Sequence, residues 1–357
     1  MANIVYNNLN DTYCEIGFQG ESKDPVDVAA AVSPTITLAY IRSLTINADE
    51  SVTREKIINS GNGRNITHNL KGMHSATATI SFNVSQALDA AAMNDAFFLK
   101  MPIDGADTTS VATYTMPPTA NEFGSDYLMT FTIEAGYSSG ANVNRLKGCI
   151  VNSMTFKCGK SQFNALWTYN ILGAMHEQLT AFTVGSLTED TGKPLTWENV
   201  EVQYGAANAL ATFTDITDIE FTIDNGIEPG VYMNNATTNR VAANTWLLGT
   251  RKISGVLSLN LNTSTKNGHD LWEDLYGDST GTASPTQAVT LNDLQITLYQ
   301  ATNLDLRYTL HDVILGRIPH DLAQEGVHKI AIPFTAQACI FRIRGTDSSS
   351  PTNWAGT

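Results

Sequence analysis

Few residues in this chain have the type and spacing that chemistry needs. Gly159-Lys-Ser161 has the ending of a phosphate-binding loop. That loop requires another glycine five positions earlier, where Met154 stands, and a helix behind it, where the pattern continues as strand. His68 and His74 share one polar stretch with no cysteine or acidic cluster beside them, so the convergent ligand set that zinc needs is missing. His311, His320 and His328 come no closer to a site, and neither GxSxG nor HExxH occurs. Cys14, Cys149, Cys158 and Cys339 show no CxxC spacing and read as buried free thiols. Cys149 and Cys158 are an odd number apart, which places them on opposite faces if their strand is continuous. Acidic residues are numerous enough to offer carboxylate pairs for a hydrolase, but no pocket pattern surrounds them. The expectation is a protein that is no enzyme and holds neither metal nor cofactor.

What the chain has instead is alternation. In Arg42–Asp49, Leu44, Ile46 and Ala48 point one way and Ser43, Thr45, Asn47 and Asp49 the other. In Ser75–Val84, Ala76, Ala78, Ile80, Phe82 and Val84 oppose Ser75, Thr77, Thr79, Ser81 and Asn83. Period two is the mark of a half-buried strand. The intervening stretch carries Arg54, Glu55, Lys56, Arg64 and several glycines, and reads as a long polar loop over 50–72. The pattern returns in Thr217–Asp224, where Ile219, Phe221 and Ile223 oppose Asp218, Glu220, Thr222 and Asp224, and again in Ser254–Asn262. A second polar loop containing Arg240 lies between them, over 225–250.

A helical period follows each strand pair. Leu88, Ala92 and Ala96 form a stripe within 86–99, with Ser85 as N-cap, and Leu271 and Leu275 do so within 267–276. Three further strands follow in each half: 127–135, 148–157 and 163–172, then 291–299, 304–315 and 327–336. Matching Ser43 to Asp218, and Phe82 to Leu261, makes the chain two copies of one domain. The expected organisation is an N-terminal arm over 1–34, a first domain over 35–178, a linker over 179–197, a second domain over 198–345 and a flexible tail over 346–357. Each domain would be mainly β, an antiparallel sandwich or barrel with one short helix and a long inter-strand loop.

Composition narrows the functions. The 357 residues hold 21 Lys and Arg against 35 Asp and Glu, a net charge of −14. No basic surface of the kind that neutralises phosphates is indicated, so tight nucleic-acid binding is excluded. The first residues have no apolar signal core and no long apolar run occurs, so a soluble protein made without export is expected, with no membrane partner. The polar strand faces carry Thr, Ser and Asn in rows with Asp49, Glu134, Asp218, Glu220 and Asp224 and few cations. Composition leaves two readings of such faces open: the solvated outside of an antiparallel sheet, or the smooth wall of a lumen.

A resemblance chooses between them. Ile16-Gly-Phe-Gln-Gly-Glu-Ser-Lys-Asp-Pro25 resembles the N-terminal arm of the tail tube proteins of long-tailed, siphovirus-like phages. Arg42–Glu50, the polar loop, Gly72–Phe82 with the helix behind it, and Gly148–Phe156 after Lys147-Gly148 follow in that family's order. The likeness runs over most of residues 13–172; the second copy matches by element order. It implies two tandem tail-tube-type domains in a structural virion protein of the tail, made in the host cytoplasm. The family builds stacked hexameric rings, so two domains per chain imply pseudo-hexameric rings of three chains, with double-stranded DNA passing without tight binding. It also implies tape-measure, tail-tip and tail-terminator proteins as partners. Asp49, Glu134, Asp218, Glu220 and Asp224 are then the lumen candidates, and Arg54, Glu55, Lys56, Arg64 and Arg240 the inter-ring loop candidates. The competing reading is a secreted or surface β-sandwich that binds carbohydrate, which would need solvent-facing aromatics where Trp167, Trp246 and Trp272 stand.

Overall fold

Alternation becomes strand almost wherever the sequence carries it. The computed structural model describes residues 12–21, 34, 36–37, 41–55, 68–84, 113–115, 129–137, 143–184, 193–206, 209–213, 215–230, 245–260, 292–299, 305–316 and 329–344. The strands of the N-terminal half are β1 (Thr12–Glu21), β2 (Ile36–Thr37), β3 (Ile41–Glu55), β4 (His68–Phe82), β5 (Thr113–Thr115), β6 (Met129–Tyr137), β7 (Val143–Gly159), β8 (Leu166–Gly173) and β9 (Met175–Leu179). After a 3-10 turn at Trp197–Asn199 come β10 (Val200–Gly205), β11 (Ala211–Thr212), β12 (Ile216–Asp224), β13 (Glu228–Gly230), β14 (Thr245–Leu247), β15 (Lys252–Asn260), β16 (Asn292–Tyr299), β17 (Asp305–Leu315), β18 (Lys329–Ala336) and β19 (Ala338–Arg344). The protein is mainly β, and every strand pairing is antiparallel. Both expected helices, 86–99 and 267–276, lie outside the described residues.

The centre is an eight-stranded sheet in the order β3-β4-β8-β7-β12-β15-β18-β17. Its apolar face is made by the period-two residues: Ala78, Ile80 and Phe82, then Met154, Phe156, Trp167 and Tyr169, then Ile219, Phe221 and Ile223, then Leu257, Ile332 and Phe334. Two flanking arrangements supply the rest of the core, β2-β1-β6 joined to β7 and β9, and β11-β10-β16 joined to β17, β19 and β5.

The long strands β7 and β17 serve two sheets each. β7 pairs with β6 and β9 in its first part and with β8 and β12 in its last. The change of partner coincides with Gly148 at φ 58° and a bulge between Val151 and Ser153. A bulge adds one residue and twists the strand, so side-chain parity changes across it. Cys149 and Cys158 therefore both end in the same core, against the expectation of opposite faces. β17 makes the same change near Asp312, at φ 52°. All four thiols are free and buried.

Each half has the same pairings. β1–β2, β1–β6, β6–β7, β7–β8, β7–β9, β8–β4 and β4–β3 answer to β10–β11, β10–β16, β16–β17, β17–β18, β17–β19, β18–β15 and β15–β12. The third residues of β8 and β18 begin the rows Thr168–Ser81–Ser43 and Ala331–Ser258–Asp218, so Ser43 and Asp218 hold the same place. Phe82 corresponds to Leu259 instead of Leu261, a two-residue difference that leaves the faces unchanged. The stretch read as a linker begins with β9 ending at Leu179, and at its far end Leu195 is buried, its N–H donating to the Val84 carbonyl at 2.8 Å. The loop expected over 50–72 is shorter, because β3 runs on to Glu55 and β4 starts at His68.

An aromatic cluster ties the halves together. Phe156 lies 5.1 Å from Trp167, 5.4 Å from Phe221 and 6.0 Å from Tyr308, ring centre to ring centre. The buried Trp167 Nε1–H donates to the Tyr308 hydroxyl at 3.0 Å. Buried rings add to area burial by offset and edge-on contacts, and an indole N–H needs an acceptor. Replacing Tyr308 by Phe leaves that donor unsatisfied, and the expected loss of unfolding free energy is about 1–3 kcal/mol, measured by urea denaturation.

Candidate functional site

The other face of the central sheet is a field of small polar side chains. One row crosses seven strands as Ser43, Ser81, Thr168, Thr155, Thr222, Ser254 and Thr335. Ser81 and Thr168 share a hydrogen bond of 2.9 Å, as do Thr155 and Thr222. In the neighbouring row Thr79 donates to Asn170 Oδ1 at 3.2 Å, and Asn170 Nδ2 donates to Ser153 at 2.9 Å. Side chains that spend their polarity on one another leave a smooth face with little to hold a ligand.

Charges on this face are few and mostly engaged. Glu220 pairs with Lys157 at 3.0 Å across the β7–β12 ladder, with both side chains partly exposed. Asp224 is exposed and its Oδ1 accepts from Gly226 N–H at 2.9 Å. Asp218 Oδ1 accepts from the Ser161 amide at 2.7 Å and the Ser161 hydroxyl at 2.5 Å. Partial burial pushes the Asp218 carboxyl up, but Ser161, the Thr217 hydroxyl and Lys157 more than offset it and hold it below the ordinary carboxylate range. Gly159-Lys-Ser161 thus has a structural use. Gly159 has φ +148° and sits against the backbone of Thr217 and Asp218, where a Cβ would not fit. Lys160 N–H donates to the Thr217 carbonyl at 2.8 Å.

The remaining expected site residues divide. Asp49 lies in β3 opposite Ser75, and Arg54 and Glu55 at the strand's end stand opposite Asn69 and His68. Lys56, Arg64 and Arg240 lie outside the described residues. Glu134 is not on the wetted face: it is fully enclosed, accepting from Arg145 Nε at 2.8 Å and from the Thr183 amide at 2.8 Å. Arg145 reaches Glu177 at 3.4 Å, and Lys147 closes the network on Glu177. Alternation alone put Glu134 outside; β6 has both faces covered, which a polar-looking strand does not announce.

An apolar hollow of about 320 Å³ lies beside the Gly159–Asp218 end of the junction and is lined by Cys158, Val200, Val202, Phe213, Ile216 and Ile219 among others. Burial pushes the Cys158 thiol up to about 12, which leaves no thiolate nucleophile. Burial also raises Glu201, but bonds from Thr212, Tyr299 and Gln203 hold it ionised and low, unsuited to donate a proton. Among the described residues no group of His, Cys, Asp and Glu is placed to hold a metal ion, and no described helix is long and apolar enough to cross a membrane. Trp167 and Trp246 are buried, and Trp272 lies outside the described residues. Among the described residues Phe163 and Trp197 form an exposed aromatic pair, ring centres 6.5 Å apart, which the alternation pattern did not single out.

A family model described as phage tail tube protein matches residues 123–292, a stretch that contains β6 to β15 and so the β7–β12 junction. No curated protein matches the chain. The match supports a structural protein of the phage tail.

Because the Asp218 carboxyl is depressed in the fold, its contribution to stability is full above the ordinary carboxylate range and is lost as pH falls through the depressed value. Ser161→Ala removes one donor. The Asp218 carboxyl carbon, followed by NMR titration, is expected to titrate at higher pH in that variant than in the parent.

Proposed function

We propose that this chain is the tube subunit of a long, siphovirus-like phage tail. The observation that carries the reading is the tail-tube match over residues 123–292. The central sheet agrees with it: a broad face of hydroxyls and amides, with carboxylates and few cations, suits a wall along which a polyanion slides. In the tube the chain's two similarly paired halves act as two tube domains, and three chains make a pseudo-hexameric ring. Rings stack head to tail through a contact that does not close on itself, which generates a filament.

Asp49, Asp218, Glu220 and Asp224 belong to the wall in this reading; Glu134, being enclosed, serves the fold. Arg54 and Glu55 at the tip of β3, with Lys56, Arg64 and Arg240, make ion pairs between rings. The partners are further copies of the chain, a tape-measure protein within the growing tube, and tail-tip and terminator proteins at its ends. The chain is made in the host cytoplasm and ends in the virion, and DNA passes through without tight binding.

Electron microscopy of the purified protein with mass determination tests this. Hollow filaments, or rings with the mass of three 38.6 kDa chains, are expected. Rings of six chains would keep the tube and remove the pseudo-hexamer. A monomer that assembles with no tail partner and binds glycans would overturn the tube reading.

The wall is tested separately. Tails carrying Glu220→Lys with Asp224→Lys, and assembled to normal length, are expected to eject DNA more slowly in a fluorescence release assay. Unchanged release would remove these positions from the wall.

A further inference from the structure

We propose that the C-terminal segment beyond β19 folds back on its own chain and seats Trp354 in the apolar hollow beside the Gly159–Asp218 end of the β7–β12 junction. The inference is independent of the tube reading.

The hollow suits one large aromatic side chain. Its volume is about 320 Å³. Pockets that hold small molecules begin at roughly 300 Å³. The floor is apolar and comes from both halves: Cys158 from β7, Val200 and Val202 from β10, Ile216 and Ile219 from β12. The carboxylates of Glu198, Glu201 and Asp218 stand in the lining, with no lysine or arginine among the described residues there. Such a rim repels anions and offers acceptors to a donor. An indole is an apolar body with one N–H donor and no acceptor, so it matches both floor and rim. Trp197 in the lining and its neighbour Phe163 are exposed, and their rings give a further aromatic group surfaces to pack on.

The described chain ends within reach of this hollow. Arg344, the last residue of β19, pairs with Asp305, and Asp305 pairs with Tyr299. The next residue back, Leu298, pairs with Val200 in the hollow's lining. The Tyr299 hydroxyl donates to Glu201 at the rim. The segment beyond Arg344 thus starts at the same end of this sheet as the hollow, three strand spacings from β10, or about 14 Å. Trp354 is ten residues beyond Arg344. Ten extended residues span roughly 33 Å. Of residues 345–357, Trp354 is the one large apolar side chain; the others are Gly, Ala, Pro, Ser, Thr, Asn and Asp.

The first half supplies the precedent. β9 holds the place of β19, and matching turns lead into the two strands: Ala174 N–H donates to the Lys147 carbonyl at 2.9 Å, and Gln337 N–H to the His311 carbonyl at 3.0 Å. Beyond β9 the chain comes back to the ends of the central strands. There Leu195 is fully buried, and its carbonyl accepts from Ala165 N–H at 2.9 Å. Two residues further, Trp197 N–H donates to the Phe163 carbonyl at 2.8 Å and brings the chain to the hollow itself. In the first half, then, the segment after the last strand returns and puts an apolar side chain into the core. Residues 345–357 follow the equivalent strand of the second half.

Photo-crosslinking of the full chain tests this. Glu198, exposed and in the lining, is replaced by p-benzoylphenylalanine, and normal chains are mixed with heavy-isotope-labelled chains so that links within a chain and between chains differ in mass. Links from position 198 to residues 345–357 of the same chain are expected, lost with Trp354→Ala and kept with Trp354→Phe. The same probe at Thr212, also exposed and in the lining, is expected to capture the same segment, and an unchanged urea midpoint identifies the variants that fold as the parent does. Links that join normal to heavy chains, that reach another segment such as 261–291, or that persist in Trp354→Ala would overturn the inference, as would the absence of any link from both positions in folded chains. None of these outcomes bears on ring or filament formation, so the tube reading stands or falls by its own test.

Discussion

The antiparallel junction of β7 with β12 is the contact on which the rest of the structure depends. Seven residue pairs, from Asp218–Gly159 to Asp224–Ser153, turn two four-stranded sheets into one. On its core side Phe156 and Phe221 meet, and Tyr308 leans on both. On its polar side Lys157–Glu220 and Thr155–Thr222 repeat the ladder in side chains. Both ends are fastened. Asp218 holds the Gly159–Gln162 turn at one end. At the other, the buried Asn225 donates to the Val151 carbonyl at 3.0 Å and accepts from Arg251 at 2.7 Å. Buried polar groups in such a place are stabilising only when every partner is present, and here the partners come from both halves.

That junction constrains β7, which must also pair with β6 and β9. A straight strand cannot lie in two sheets that pack on one another. The bulge at Val151–Ser153 and the positive φ of Gly148 provide the bend, and β17 solves the same problem at Asp312. The bend directs Leu146 and Cys149 into the same core that Met154 and Phe156 enter from the other side of the bulge. Core continuity is thus achieved through backbone irregularity at defined places, not through regular alternation.

This is also where the sequence was legible and where it was not. Strands with one wet face announced themselves: β3, β4, β12 and β15 keep the alternation of Leu44, Ile80, Phe221 and Leu257 with their polar neighbours, and their pairing into two similar halves follows from it. β6 carries Thr130, Thr132 and Glu134 in alternation yet is covered on both faces, so its polar residues read as exposed when they are enclosed. β10 and β19 were missed because Val200–Gly205 and Ala338–Arg344 are short and mix charges among apolar residues. The extension of β3 through Arg54 and Glu55 was hidden for the same reason: backbone pairing with Asn69 and His68 needs no apolar face. Of the site, the three carboxylates of Thr217–Asp224 were readable as one face. Their partners Ser161 and Lys157 were not, because nothing local links residues some sixty positions apart.

The two halves keep their pairing while their polar rows diverge. In the first, Glu134 and Arg145 face each other across β6 and β7 and are sealed by Thr183. In the second, Thr297 faces Arg307, while Glu201, opposite Thr297 as Glu15 is opposite Glu134, keeps its carboxylate and is bound by Thr212 and Tyr299. Backbone ladders tolerate this exchange, because they ask only that each buried charge find its partner somewhere in the row. The internal junction is fastened by Asn152 and Asn225, which bond across the ends of β7 and β12: the Asn152 carbonyl accepts from the Asn225 N–H, and the Asn225 side chain donates to the Val151 carbonyl. The counterpart strand β3, paired among the described strands by β4, instead carries Ser43, Thr45 and Asn47 exposed. The same backbone geometry thus bears different side chains where it is enclosed on both edges and where it is not, and that difference separates β12 from β3.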